Sequence, residues 1–415
     1  MERLPGFRDF YPEPLPHPDV WSADARQYIF DQWRTVARRY GFREYDGPPL
    51  EPLELFTTKS GEEIVGQLFD FVDKGKRHIS LRPEMTLTLA RMVAAHERNY
   101  KKPIKWFAIP QLFRYEKQQK GRLREHFQFN ADLMGETDPS ADAELIALLI
   151  DTLRAFGLTA EDFVIRLSSR NAWQEFFNGG NTAGRSAEDA YAFFQVIDKL
   201  ERTAPEESEA KLSALGFSLA VVNEFIASGK PTTELQSILD NLAARGLKKF
   251  VKVDYLVIRG LAYYTGVVFE AFDRKGEFRA IAGGGRYNNL VKLISGGKVD
   301  LAALGFGMGD VVLLELLKAR GLLPKFDSTM DVFVLIEDEA TRPISLKLIQ
   351  DLRAAGFAVD YPLTPQKPDK QFKRATELKV AHTVRAESDA YVRIRNLKTR
   401  EEVVAGFADV ANHLG

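Results

Sequence analysis

In DVWSADARQYIFDQWRTVARRY, residues 19–40, Trp21, Ala25, Tyr28, Ile29, Trp33 and Val36 recur at helical spacing, which predicts an amphipathic helix. GFREYDGPPLEPLELF follows, and its three prolines exclude a helix through its centre. Two aromatic-rich runs of alternating polarity then flank the basic segment KQQKGR, within IKWFAIPQLFRYEKQQKGRLREHFQFNADLMGE. That pattern predicts two antiparallel strands joined by a mobile loop. Residues 137–157 predict a further helix, with Asp and Ser near its start and Gly157 at its end.

From 168 to 250 the periodicity is helical with few strand signals, which reads as a helical insertion. Strand character returns in KKFVKVDYLVIRGLAYYTGVVFEAF and FRAIAGGGRYNNLVKLI, and a break falls near residues 321–329. The remainder alternates strand-like and helix-like runs, as a small α/β domain does. The expected organisation is a first catalytic part over 1–167, the insertion over 168–250, a second catalytic part over 251–325 and the α/β domain over 329–415.

Composition narrows the possible functions. The chain has 415 residues, 45% hydrophobic and 28% charged, as in a multidomain globular protein. A net charge of −1 provides no global field toward nucleic acid or membrane, so such binding must come from a local patch. With no cysteine there is no disulfide or thiolate chemistry, which fits a reducing cytoplasm. The charged, proline-rich start MERLPGFRDFYPEP is unlike a signal peptide, and no run of about 18 apolar residues predicts a membrane span. His17, His78, His96, His126, His382 and His413 show no metal-ligand spacing, so no protein-held metal site is expected.

Five stretches carry candidate chemistry. GFGMGDVVLLELL, residues 305–317, is glycine-rich and runs straight into a helix, as a turn admitting a nucleotide would, yet no cation appears before Lys318. In LFRYEKQQKGRLREHFQFNAD, a strand over Phe113–Glu116 would place Arg114 and Glu116 on one face. His126, Gln128, Asn130 and Asp132 would share a face of the return strand. Lys117, Lys120, Arg122 and Arg124 between them suit pyrophosphate or nucleic acid, and equally a solvated hairpin tip. Read as a strand, LRPEMT alternates Arg82, Glu84 and Thr86; Glu84 suits an ammonium, although surface strands often show this polarity. VIRGLAYYTG sets Arg259 in an apolar run, where burial demands a partner, beside Tyr263 and Tyr264, which suit a core or a pocket. AIAGGGRYNNLV reads as a turn approached closely by a ligand, with Tyr287 next to it.

Together these stretches resemble the class II aminoacyl-tRNA synthetases, and within them the histidyl-tRNA synthetase family. GFREYDGPPLEP is similar to the dimer-forming first motif, with Pro48 at its proline; FRYEKQQKGRLRE is similar to the second motif and GFGMGDVVLLELL to the third. RGLAYYTG with GGGRY singles out the histidine enzymes. The resemblance implies an α+β fold: an antiparallel six-stranded catalytic sheet with a helical insertion, followed by an α/β anticodon-binding domain. It implies ligation of histidine to tRNA(His) through a histidyl-adenylate, with ATP as substrate, Mg²⁺, a homodimer and a cytoplasmic setting. Glu84, Thr86, Gln128, Asp132, Tyr263, Tyr264 and Tyr287 would then line the histidine pocket. Arg114 and Arg259 would contact the α-phosphate, and Glu116, Arg122, His126, Gly307 and Gly309 would complete the ATP site. Residues 366–400, with ten Lys/Arg against four Asp/Glu, suit tRNA phosphates, or an ordinary solvated helix face.

The sequence departs from the family pattern at several positions. Val312 stands where the third motif has an arginine, and His126 where a phenylalanine stacks on adenine. Asp132 replaces a glutamate, Ala262 an aspartate, and the last domain is trimmed near TVRAESDAY. The first two fall on the nucleotide, where partial charge on His126 would offset the lost arginine in part. A regulatory, histidine-sensing relative acting on ATP phosphoribosyltransferase, without ligase activity, is the alternative; the lost arginine favours it, and Arg114, Arg259 and the C-terminal domain speak against it.

Overall fold

The computed structural model describes residues 2–12, 21–57, 65–117, 122–179, 186–258, 263–326 and 330–414. Arg259, Ala262 and Lys120, singled out above, lie outside the described residues. The chain forms two compact units, Met1–Leu323 and Pro324–Gly415.

The first unit is built on a mixed sheet. Its strands lie in the order Val251–Val253, Phe163–Ser169, Val267–Asp273, Ala282–Arg286, Ala303–Gly309, Glu125–Met134, Ile104–Ala108 and Arg43–Glu44. The six from Phe163–Ser169 to Ile104–Ala108 are antiparallel throughout, and the two edge strands join in parallel. Helices cover one face. Ala23–Arg39 starts at Ser22, whose side chain accepts from the Ala25 amide, and buries Ile29, Trp33 and Val36. Trp33 stacks on Phe129 of the long strand Glu125–Met134, with ring centroids 5.7 Å apart. The largely buried helix Pro139–Arg154 is capped by Asp138.

Three local expectations change. The strand Gln111–Phe113 pairs with the long strand and stops at Phe113. The amide of Glu116 then bonds back to the Arg114 carbonyl at 2.7 Å, so a turn at Tyr115, not a pleat, sets Arg114 and Glu116. LRPEMT is not a strand either. The strand His78–Leu81 ends before Pro83, and Thr86 opens the helix Thr86–His96. Buried Arg82 donates to the Gly47 and Gln111 carbonyls, away from Glu84. AGGGR, finally, is a central buried strand rather than a turn. A Cβ on Gly284 would lie 2.3 Å from the Gly305 carbonyl oxygen, and one on Gly285 would lie 2.6 Å from that of Val267. Close packing of the protein's own strands requires those two glycines, while Gly283 lines the two cavities described below.

Between Ser169 and Val251 the described residues form the α-helices Arg170–Gly179, Ala187–Asp198, Pro205–Ala214, Leu219–Ser228 and Thr233–Ala244. Trp173, Phe176, Phe193, Phe217 and Phe225 pack together here, and Trp173 Nε1 donates to the Tyr255 carbonyl at 2.9 Å.

The second unit is α/β. Its five strands run in the order Val359–Asp360, Val332–Leu335, His382–Ala386, Tyr391–Asn396 and Glu402–Gly406; the first three are parallel and the last two add as antiparallel ribbons. Val332 and Val334 face one apolar cluster with Leu348 and Leu352, while Phe333 faces another with Ala375 and Val380.

Candidate active site

The sheet's open face carries two adjoining cavities. Strand alternation brings His126, Gln128, Asn130 and Asp132 to this face, as their spacing predicts. The neighbouring glycine strand makes room for them. A Cβ on Gly305 would lie 2.0 Å from Asp132 Oδ1, and one on Gly307 would lie 2.7 Å from the Gln128 side-chain carbon. These glycines therefore admit side chains of the next strand as well as forming the cavity floor.

The first cavity is lined by all seven residues expected at the histidine site: Glu84, Thr86, Gln128, Asp132, Tyr263, Tyr264 and Tyr287. Arg114, Asn130, Gly283, Gly305 and Gly307 border it too. Tyr263 donates to Glu84 Oε2 at 2.8 Å, and Tyr287 donates to Asp132 Oδ1. Burial raises the Glu84 carboxyl above its ordinary pKa, against the charge of Arg114 and the Tyr263 bond. Burial likewise lifts Asp132 to about 7, opposed by the Tyr287 bond. Three buried acceptors in this cavity, Glu84 Oε1, Asn130 Oδ1 and Asp132 Oδ2, have no hydrogen-bond partner among the described residues. Orphaned buried acceptors are costly, so the cavity suits a ligand that brings hydrogen-bond donors.

The second cavity contains every described residue expected at the ATP site: Arg114, Glu116, Arg122, His126, Gly307 and Gly309. Val311, Val312 and Glu270 complete its walls with Ala280–Ala282. Arg114 Nε donates to the Pro83 carbonyl at 2.9 Å, and Arg122 forms an ion pair with Glu116 at 2.8 Å. Among the described residues Arg114 and Arg122 are the only lysines or arginines lining the cleft. His126 does not carry the compensating charge expected of it. Burial, reinforced by the positive charges of Arg114 and Arg8, lowers its pKa to about 3, so the ring is neutral near pH 7. It offers a flat face for a base and no charge for a phosphate.

Arg114, Gln128, Gly283 and Gly307 border both cavities, and there their ligands would meet. Sequence reasoning missed Glu270, Asn130 as a lining residue, and Gly283. A lone acid in the apolar run VVFEAF was the available signal for Glu270; Asn130 was placed on the right face without a role. Arg286 is set apart from the cavities, with its guanidinium on Asp142 and the Glu136 and Asp138 carbonyls. Pro48 is exposed just before the strand Leu50–Pro52. Among the described residues no group of three or more His, Asp or Glu could hold a metal ion, and no single helix is long and apolar enough to cross a membrane.

In the second unit, a surface groove is lined by Phe372, Lys379, Arg395, Lys398 and Arg400. Phe372 is exposed, with the Arg395 guanidinium 5.5 Å from its ring centroid. Arg385 and Arg393 are engaged by Glu387 and neighbouring acids, so the basic excess facing a ligand is narrower than a count of charges implies.

A six-stranded antiparallel platform with both cavities on one face, followed by a separate α/β unit, is the architecture of a class II aminoacyl-tRNA synthetase. The family model described as histidyl-tRNA synthetase matches residues 18–309, and that of the anticodon binding domain matches residues 331–414. The chain is 47% identical to a histidine–tRNA ligase of Opitutus terrae, over 97% of this chain and 95% of that one. It is 35% identical to a histidine–tRNA ligase of Thermoplasma volcanium, over 100% and 98%. Its fold matches apo histidyl-tRNA synthetase from S. aureus with a TM-score of 0.71 at 24% identity, covering 100% of both chains. The chain belongs to the histidyl-tRNA synthetase family.

Proposed function

We propose that this chain ligates histidine to tRNA(His), and that the residues of the two adjoining cavities carry the first half of the reaction. The observation that carries the reading is the trio of unpartnered acceptors, Glu84 Oε1, Asn130 Oδ1 and Asp132 Oδ2, beside a cleft that shares Arg114. Histidine brings the matching donors: three from its ammonium and one or two from its imidazole. The tyrosine hydroxyls hold the carboxylates in place for them.

With the side chain and ammonium so held, the histidine carboxylate points toward Arg114, the residue common to both cavities. One carboxylate oxygen attacks the α-phosphorus of ATP, the bond to the bridging oxygen breaks, and pyrophosphate leaves. Arg114, joined by Arg259, balances charge that grows on the phosphoryl oxygens, so catalysis is mainly positioning and electrostatics. Glu116 accepts from the adenine amino group, His126 covers the ring, and Arg122 faces the outer phosphates. Glu270, in the same cleft, would hold Mg²⁺, which favours phosphate oxygens with one or two carboxylates, and the ion would screen the polyphosphate charge. The terminal ribose hydroxyl of tRNA then attacks the histidyl carbonyl and AMP leaves. The Phe372 groove takes part in holding the tRNA, Pro48 belongs to the segment through which two copies form a homodimer, and the enzyme works in the cytoplasm.

The regulatory alternative is not favoured. A Bacillus halodurans structure described as an ATP phosphoribosyltransferase regulatory subunit/histidyl-tRNA synthetase shares the fold, at a TM-score of 0.70 and 22% identity, which bears on architecture alone. The far more similar relatives are curated as ligases. Histidine-dependent ATP–pyrophosphate exchange by the purified protein tests the proposal. Exchange is expected, with Arg114→Ala and Arg259→Ala abolishing it in folded protein. No exchange above background at saturating histidine and ATP overturns the ligase reading.

A further inference from the structure

One buried arginine fastens the N-terminal segment behind the nucleotide cleft. The Arg8 side chain is 1% exposed. Its Nε and Nη2 donate to the Glu125 carboxylate at 2.6 and 3.2 Å, and its Nη1 and Nη2 donate to that of Asp310 at 2.8 and 3.4 Å. The two acids belong to different elements. Glu125 opens the long strand, immediately before His126; Asp310 opens the helix Asp310–Arg320, between Gly309 and Val311. Their remaining bonds hold the long strand and its partner strand Gln111–Phe113: Asp310 Oδ1 accepts from the Phe127 amide at 3.0 Å, and Glu125 Oε2 accepts from Gln111 Nε2 at 3.0 Å. Trp21 and Phe10 close over the guanidinium at 4.6 and 5.0 Å from their ring centroids.

We infer that Arg8 is a positioning residue for ATP: by bridging Glu125 and Asp310 it sets the spacing between His126 and the Gly309–Val312 wall, and so the width of the slot that takes the base. The inference rests on reading that cleft as the ATP site. Two buried carboxylates would repel one another without a cation between them, and the elements carrying them would move apart. Only a planar guanidinium can satisfy both at once, because a lysine ammonium is a point charge with no fork. Arg8 touches no substrate. Its influence matters here because Val312 and neutral His126 hold the nucleotide by shape, with no charge of their own. The same positive charge helps keep the His126 ring neutral.

The test is the split between the two substrates in ATP–pyrophosphate exchange. Arg8→Lys retains the charge and loses the fork, so KM for ATP is expected to rise about tenfold, the scale of a small misplacement of a binding wall. KM for histidine should stay at the wild-type value, because Glu84, Asp132 and their tyrosines are held independently. An unchanged ATP KM in folded Arg8→Lys overturns the inference. An equal rise in both constants also overturns it, since that would make Arg8 a general structural staple. If Arg8→Lys does not fold, the triple variant Arg8→Met, Glu125→Gln, Asp310→Asn removes all three charges together, and its two KM values are judged by the same criterion. Exchange by the wild type separates the layers: its absence overturns the ligase reading itself, whereas its presence with an unmoved ATP KM overturns only the role of Arg8.

Discussion

Replacing Gly305 by alanine should weaken histidine binding while sparing ATP. The added methyl carbon would sit 2.0 Å from Asp132 Oδ1 and 3.0 Å from the Ala131 carbonyl oxygen. A carbon and an oxygen rest at about 3.3 Å or more, so the carboxylate must retreat by more than about 1 Å. That displacement breaks the hydrogen bond Tyr287 donates to the same oxygen. Losing a hydrogen bond to a charged group costs about 1.5–3 kcal/mol, equivalent to a rise of about 10- to 100-fold in the histidine KM. Overpacking adds about 1–3 kcal/mol of lost stability, which the unit's buried sheet should tolerate without unfolding. Gly309→Ala, which lines the ATP cleft and not the histidine cavity, is the matched control for the histidine KM. Its nearest neighbour would be His126 Cδ2 at 3.9 Å, and Gly309 has a φ of −80°, which alanine adopts readily. ATP–pyrophosphate exchange with each substrate varied in turn provides the assay, with a thermal melt to confirm folding. Normal histidine KM in Gly305→Ala, or an equal rise in histidine KM in Gly309→Ala, would refute the idea that the glycine strand is shaped around its neighbour's side chains.

Three further outcomes are expected. Asp132 titrates near 7 when folded against an ordinary 3.8, so as pH rises between these values the unfolded chain ionises first and stability falls. Asp132→Asn should flatten that part of a stability-versus-pH curve measured by chemical denaturation; an unchanged slope would show that Asp132 is not the group responsible. Arg122→Ala should raise KM for ATP by about 10- to 100-fold through loss of a charge-assisted contact, with the histidine KM unchanged in exchange kinetics. Phe372→Ala should raise KM for tRNA in aminoacylation by about fivefold, the lower end of what a stacked base contributes, and leave exchange untouched because that step needs no tRNA.

Much of the site was legible because strand alternation is rigid. His126, Gln128, Asn130 and Asp132 had to share a face once their segment was a strand, and they do. Failures came where chain direction changes. Pro83 ends a strand, and Glu116 bonds back to Arg114, so the alternation read through LRPEMT and FRYE did not apply. The glycine runs misled for a different reason. Glycine reports that something approaches closely, not what approaches, and at Gly284, Gly285 and Gly305 the visitor is the protein itself. Charge on His126 was equally hidden, because its burial and the nearby Arg8 and Arg114 depend on segments far away in sequence. Nothing in the spacing of Arg8, Glu125 and Asp310 announces that they meet.

The helices between Ser169 and Val251 have a topological consequence. Phe163–Ser169 and Val251–Val253 are neighbours running in the same direction, so the chain must travel back along the sheet to join them. A parallel pair demands such a crossover, but about a dozen residues suffice for it. The remaining length, with its own aromatic interior, is surplus to the connection, and lengthening a loop already closed adds little entropic cost. Natural relatives should therefore differ most in size in this stretch. It is also where an engineered domain could be seated without altering the register of the catalytic strands.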